Sequence, residues 1–89
     1  MVYKIIFKPS AEKSFSKLPK KLQSKIIEDI TLLGINPRPI GVKKLKSVAN
    51  FYRIRINDYR VIYSIEDDIL IITVIKIAHR SDIYNNLAL

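Results

Sequence analysis

The chain has 89 residues, no cysteine, 16 Lys plus Arg against 8 Asp plus Glu, and a formal net charge of +8. That length serves one hydrophobic core, so a single domain over residues 1–89 is expected rather than a multidomain enzyme. The lack of cysteine excludes a disulfide framework, thiol catalysis and Cys-ligated zinc, and the lone His79 excludes a multi-histidine metal centre. The 48% hydrophobic content suits a folded chain despite the charge. The longest apolar run, residues 69–75, is far short of the roughly 20 residues a membrane helix needs. The N-terminus does not read as a signal peptide, and a cytoplasmic location is expected. Residues 1–60 hold 14 basic and 4 acidic residues, whereas residues 61–89 hold 2 and 4. Such a basic surface attracts polyanions, nucleic acid first among them; a solvated lysine-rich surface is the bland alternative.

Val2 to Phe7 reads as a strand, with Tyr3, Ile5 and Phe7 on one face. Pro9 breaks it, and Ser10 is placed to cap a short helix running to Lys17. Pro19 opens a second helix in which Leu22, Ile26, Ile30 and Leu33 form one apolar stripe, and Gly34 is placed to end it. Residues 35–42 have loop composition. Lys43 to Lys46 suits a short edge strand, where lysine discourages edge pairing. Phe51 to Ile56 and Tyr59 to Ile65 alternate cleanly on either side of an Asn57-Asp58 turn, and Glu66-Asp67-Asp68 makes a second turn. Ile69 to Ile77 is the most apolar strand and is expected at the sheet centre. The tail from His79 to Tyr84 suits a short helix. The order predicts an α+β domain of two layers. An N-terminal strand and two helices precede an antiparallel meander of three to four strands and a short C-terminal segment. The helices would cover one sheet face and leave the other as a working surface.

Residues two apart on a strand project to one face. Arg53 and Arg55 therefore point together, and Arg60 joins them if Tyr59, Val61 and Tyr63 face the helices. Three guanidiniums on adjacent strands form a site for phosphate, because each offers a planar fork of donors. Arginine as mere solubility decoration predicts acidic neighbours, and only Asp58 is close in sequence. His79 is the one side chain whose ordinary pKa suits proton transfer near neutrality. It gains weight only if its strand end lies over the arginines, with Arg80, Asp82 and Tyr84 close behind. Tyr84 could stack on a base or pack the C-terminal segment. Lys43, Lys44 and Lys46 are either a solvated run or sequence-blind contacts to a nucleic-acid backbone. A Gly-rich phosphate loop, paired catalytic carboxylates and a serine triad are all missing from the sequence.

Residues 52–63, Tyr-Arg-Ile-Arg-Ile-Asn-Asp-Tyr-Arg-Val-Ile-Tyr, followed by residues 75–84, Ile-Lys-Ile-Ala-His-Arg-Ser-Asp-Ile-Tyr, resemble the RelE/ParE toxin superfamily, its RelE-like branch above all. The resemblance spans nearly the whole chain. It implies an antiparallel sheet with two helices on one face and the first strand beside the last. It implies the toxin of a type II toxin–antitoxin pair, held inactive by a RelB-like antitoxin that wraps it, with operator DNA bound only through that complex. For the RelE branch it implies cleavage of mRNA in the ribosomal A site by the substrate's own 2′-OH, with neither metal nor cofactor. Arg60 matches the family's strand arginine and Tyr84 its C-terminal tyrosine. Arg53 and Arg55 stand where lysines stand in the best-known RelE; arginine is a poor general base, so His79 becomes the candidate acid or base. The expected catalytic set is Arg53, Arg60, His79, Arg80 and Tyr84, with Arg55, Lys43, Lys44 and Lys46 binding RNA. A ParE-like gyrase inhibitor on the same scaffold, or a binding module with a degenerate site, are the competing expectations.

Overall fold

The computed structural model describes residues 2–46 and 50–83. Its elements, in chain order, are strand β1 (Lys4–Phe7), helices α1 (Pro9–Ser16) and α2 (Lys20–Leu33), and strands β2 (Lys43–Lys44), β3 (Phe51–Ile56), β4 (Tyr59–Glu66) and β5 (Ile71–His79). They form one five-stranded sheet in the order β1-β5-β4-β3-β2. The pairings β2–β3, β3–β4 and β4–β5 are antiparallel, while β1 lies parallel to β5. The sheet is thus mixed, and the two helices make the domain α+β. The first strand does lie beside the last. The most apolar strand, β5, is interior as its composition demands, but β4 is the middle strand.

One sheet face carries the core. Tyr52, Ile54 and Ile56 of β3, Val61, Tyr63 and Ile65 of β4, and Ile72, Val74 and Ile77 of β5 are buried against Ala11 of α1 and Ile26, Ile30 and Leu33 of α2. The α2 stripe is the one its spacing predicts. α1 starts earlier than expected: Pro9 takes the first turn, where its missing N–H costs nothing, and Lys8 is the cap residue without a side-chain hydrogen bond. Ser10 therefore lies inside the helix rather than capping it. Gly34 does end α2, but at φ −61°, not in the left-handed region. A Cβ there would come within 3.2 Å of the Tyr3 carbonyl oxygen, and the Tyr3 N–H donates to the Gly34 carbonyl at 2.8 Å. Glycine thus eases the close approach of β1 to the helix end, where a side chain would press on the Tyr3 and Thr31 carbonyls.

Two departures bear on the working face. β5 begins at Ile71 rather than Ile69, because Leu70 sits at φ 55° and extends the turn after β4. The β4–β5 register slips between Ile62 and Tyr63: Ile62 pairs with Lys76 and Tyr63 with Val74, so Ile75 is an extra residue. Sequence parity along β5 therefore inverts at that point, which turns Lys76 away from the helices. Residues 80–83 form a turn rather than the expected helix, and Tyr84 lies outside the described residues.

The loop after α2 is held by a polar chain. Arg38 Nη2 donates to Asp67 Oδ2 at 2.9 Å and Arg38 Nε to the Tyr52 hydroxyl at 3.2 Å, with the guanidinium carbon 5.2 Å from the Tyr52 ring centre. Tyr3 donates its hydroxyl to Asp67, and Tyr63 donates to the Pro37 carbonyl at 2.7 Å. Hydrogen bonds from Arg38 and then Tyr3 hold the Asp67 carboxyl below the usual carboxylate range. Burial pushes the Tyr63 phenol above its ordinary value. These contacts join β1, the loop and the β4–β5 turn behind the strands that carry the arginines.

Candidate functional site

The β3–β4 hairpin turns at Asn57, whose φ of 54° suits asparagine. It sets Arg55 directly across from Arg60, and Arg53 across from Ile62. β2 adds Lys43 beside Arg53, and β5 adds Lys76 beside Ile62 and Ala78 beside Arg60. The face turned from the helices thus carries two cross-strand rows. One is Lys43, Arg53, Ile62, Lys76; the other is Arg55, Arg60, Ala78. Ala78 puts a short side chain opposite Arg60. Arg60 Nη1 donates to the backbone carbonyls of Tyr59 at 3.0 Å and Asn57 at 3.2 Å, which ties the guanidinium to the turn. Desolvation, and then the charges of Arg55, Arg53 and Arg80, pull Arg60 below its ordinary value, with Asp58 acting weakly the other way. Like charges directly opposite across strands destabilise a sheet. Four cations converge here, and among the described residues no carboxylate pairs with Arg60. This face is not uniformly open, however. Ile62 is fully buried on it and Arg53 half-buried, so the exposed cations are those toward the β3–β4 turn and the β2 edge.

His79 is placed differently. Its strand partner is Tyr59, not Arg60, so it has the parity of the helix-side residues. The two rings pack edge to face with centres 5.6 Å apart. His79 Nδ1 accepts the Ser81 N–H at 3.2 Å and lies 2.9 Å from the Ser81 hydroxyl oxygen, an arrangement that leaves the proton of a neutral ring on Nε2. Arg80 follows in an exposed turn, anchored by its N–H to the Asp58 carbonyl at 2.8 Å. The lysine run is split: Lys43 joins the Arg53 row, Lys44 pairs with Tyr52 and so has the opposite parity, and Lys46 is exposed beyond the strand.

A family model described as "ParE toxin of type II toxin-antitoxin system, parDE" matches residues 5–84. The chain belongs to the RelE/ParE superfamily of type II toxins. Among its relatives, a putative RelE-like toxin protein of Escherichia coli is 32% identical over 96% of this chain and 93% of its own length. The toxin RelG of Mycobacterium tuberculosis is 27% identical over 94% of this chain and 98% of its own length. A chain of the archaeal RelE–RelB complex from Pyrococcus horikoshii OT3 superposes with a TM-score of 0.80 at 30% identity, covering 90% of this toxin and 97% of that chain.

The toxin's fold brings Arg53, Arg55 and Arg80 within electrostatic range of Arg60 and sets Lys43 beside Arg53. It does not set His79 on the same face. Lys76 was not singled out by the sequence, although a lone charge inside the most apolar strand is a signal. Its simple parity pointed toward the helices, where a lysine has no place, and only the extra residue Ile75 resolves the conflict. Chemically, the cluster suits a tetrahedral anion or one that becomes five-coordinate. Guanidinium forks fixed by the backbone stabilise developing negative charge without having to reorganise.

Proposed function

We propose that this toxin is a ribosome-dependent endoribonuclease that cleaves mRNA in the A site and so stops translation. The observation that carries the reading is Arg60, tethered to the hairpin carbonyls and crowded by three like charges. In the reaction the 2′-hydroxyl gives up its proton, its oxygen bonds to the adjacent phosphorus and the bond to the 5′-oxygen breaks. That oxygen takes a proton, leaving a 2′,3′-cyclic phosphate and a 5′-hydroxyl. Arg60, with Arg53 and Arg80, binds the phosphoryl oxygens, and their attraction grows as charge builds at the five-coordinate phosphorus. His79 Nε2 is the proton-transfer candidate, and Tyr84 the residue to stack on the scissile nucleotide. Arg55, Lys43, Lys44 and Lys46 hold the RNA backbone. With no strong general base in the cluster, in-line geometry must come from elsewhere, and the ribosome supplies it by holding the mRNA.

The partner of this cytoplasmic enzyme is a RelB-like antitoxin, a reading supported by the Pyrococcus horikoshii relative being described as a RelE–RelB complex. An acidic antitoxin would neutralise much of the +8 charge and associate quickly. Operator DNA is bound only through that pair.

The test is cleavage of end-labelled mRNA, free and on programmed ribosomes, by wild type and Arg60→Ala. The expected result is cutting in the A-site codon that needs the ribosome and disappears in the variant. No cutting by a folded protein that still arrests growth would point to gyrase, the target for which the ParE branch is named as the alternative, and to a supercoiling assay.

A further inference from the structure

Lys76 is a charge inside an interior strand. β5 has β1 on one side and β4 on the other, so a lysine there does not guard a sheet edge. It faces outward only because Ile75 is an extra residue. Without that bulge Lys76 would share the parity of Ile72 and Val74 and enter the core, where an ammonium is costly. With it, Ile72, Val74 and Ile77 all reach the core while Lys76 and Ala78 turn to the other face. Bulges next to working surfaces re-aim side chains, and here the side chain is a cation.

The register fixes what surrounds it. Lys76 lies beside Ile62 and Ile62 beside Arg53, so the two cations stand on either side of a fully buried isoleucine. Each is two residues along its strand from the row of Ala78, Arg60 and Arg55. Two residues of strand span about 7 Å, close to the separation of successive phosphates in a single RNA strand. Neighbouring strands within a row are only about 5 Å apart, too close for successive phosphates. In the next row beyond Lys76, Phe51, Ser64 and Thr73 stand together and carry no charge. The cations therefore form a track that follows the strands and ends at the row of Lys76. Arg53 serves both steps of it: by register it shares the row of Lys76, and its charge is felt at Arg60.

We propose that Lys76, with Arg53, holds the phosphate next to the scissile one, so that the RNA backbone runs along β3, β4 and β5 and not across them. Two held phosphates set the direction of the backbone at the cut, which restricts the attacking 2′-hydroxyl toward in-line geometry. The proposal deepens the reading of this toxin as an endoribonuclease and rests on it.

The test is single-turnover cleavage on ribosomes programmed with mRNA that carries one methylphosphonate, an uncharged linkage, on one side or the other of the cut. At one of these two linkages the wild-type toxin should slow about 10-fold, the worth of one hydrogen bond to a charged group. Lys76→Gln, which keeps the aliphatic stem, should be slow on unmodified mRNA by the same factor and lose nothing further at that linkage. At the other linkage it should respond as wild type does. Lys76→Arg should restore both the rate and the sensitivity. All the toxins meet the same ribosomes, so the ribosome's own response to the linkage cancels in the comparison. Equal penalties in wild type and Lys76→Gln at both linkages overturn the proposal. So does a Lys76→Gln toxin that is slow, melts early and still feels each neutral linkage as wild type does, because the lysine then serves the fold. Failure of the wild-type toxin to cut unmodified mRNA on ribosomes is a different result: it removes the endoribonuclease reading and the proposal with it.

Discussion

Arg55 and Arg60 stand directly opposite one another on adjacent strands, an arrangement that costs stability and that sequence drift could easily have relieved. Replacing Arg55 by threonine, a good strand former, should therefore raise stability by about 0.2–1 kcal/mol. Urea denaturation at low salt reads this, and the gain should shrink as ionic strength rises. The same substitution should weaken RNA binding. Arg60 is expected to behave differently, because its guanidinium is held by the Tyr59 and Asn57 carbonyls and, in the proposed reaction, meets the charge that develops at phosphorus. Arg60→Ala should lower ribosome-dependent cleavage by about 10²–10³-fold, in line with the loss of one preorganised donor at a developing anion. Single-turnover kinetics on programmed ribosomes give that ratio, and thermal melting checks that the variant is folded.

The loop between α2 and β2 depends on Asp67, whose carboxyl is held below its ordinary range by Arg38 and Tyr3. A depressed carboxyl contributes stability that is fully present above its unfolded value, near 3.9, and is lost as pH falls through its folded value. Wild type should thus unfold at higher urea than Asp67→Asn at neutral pH, and the gap should close below about pH 4. None of this loop clamp was legible in the sequence, since Tyr3, Arg38, Tyr52 and Asp67 belong to four separate segments. Local signals did better. The α2 stripe, the alternation of β3 and β4, and the convergence of Arg53, Arg55 and Arg60 all follow from side-chain period. Period fails where the backbone departs from it: the extra residue at Ile75 flips Lys76 outward, and the strand end leaves His79 beside Tyr59. The adjacency of β1 and β5 has no local signature; the family resemblance implied that adjacency within an antiparallel sheet, and the parallel direction of the pair is what the structure adds. The buried Ile62 shows the same limit, because alternation assigns a face but not what covers it.

For the molecule as a whole, charge is the long-range term. With a net charge of +8, binding to any RNA should fall steeply with salt. Lys76 lies in the same cross-strand row as Lys43 and Arg53. If it holds a phosphate, Lys76→Ala should reduce the slope of log K against log salt for single-stranded RNA by about 0.7, equally for every sequence tested. Filter binding across a salt series measures it. The sheet has a further consequence in time. β1 is made first, yet its place in the sheet is against β5, the last strand, so neighbours in space are nearly the most distant in sequence. Such closure is slow, because a long stretch of chain must be brought together before the pairing is rewarded. As the chain grows, α1 and α2 can form, but β1 has nowhere to dock until β5 has left the ribosome that is making it. Arg60 and Ala78 likewise meet only then. The contribution of β5 to the cationic face, Lys76 beside Ile62 and Ala78 beside Arg60, is therefore added only when the last strand docks.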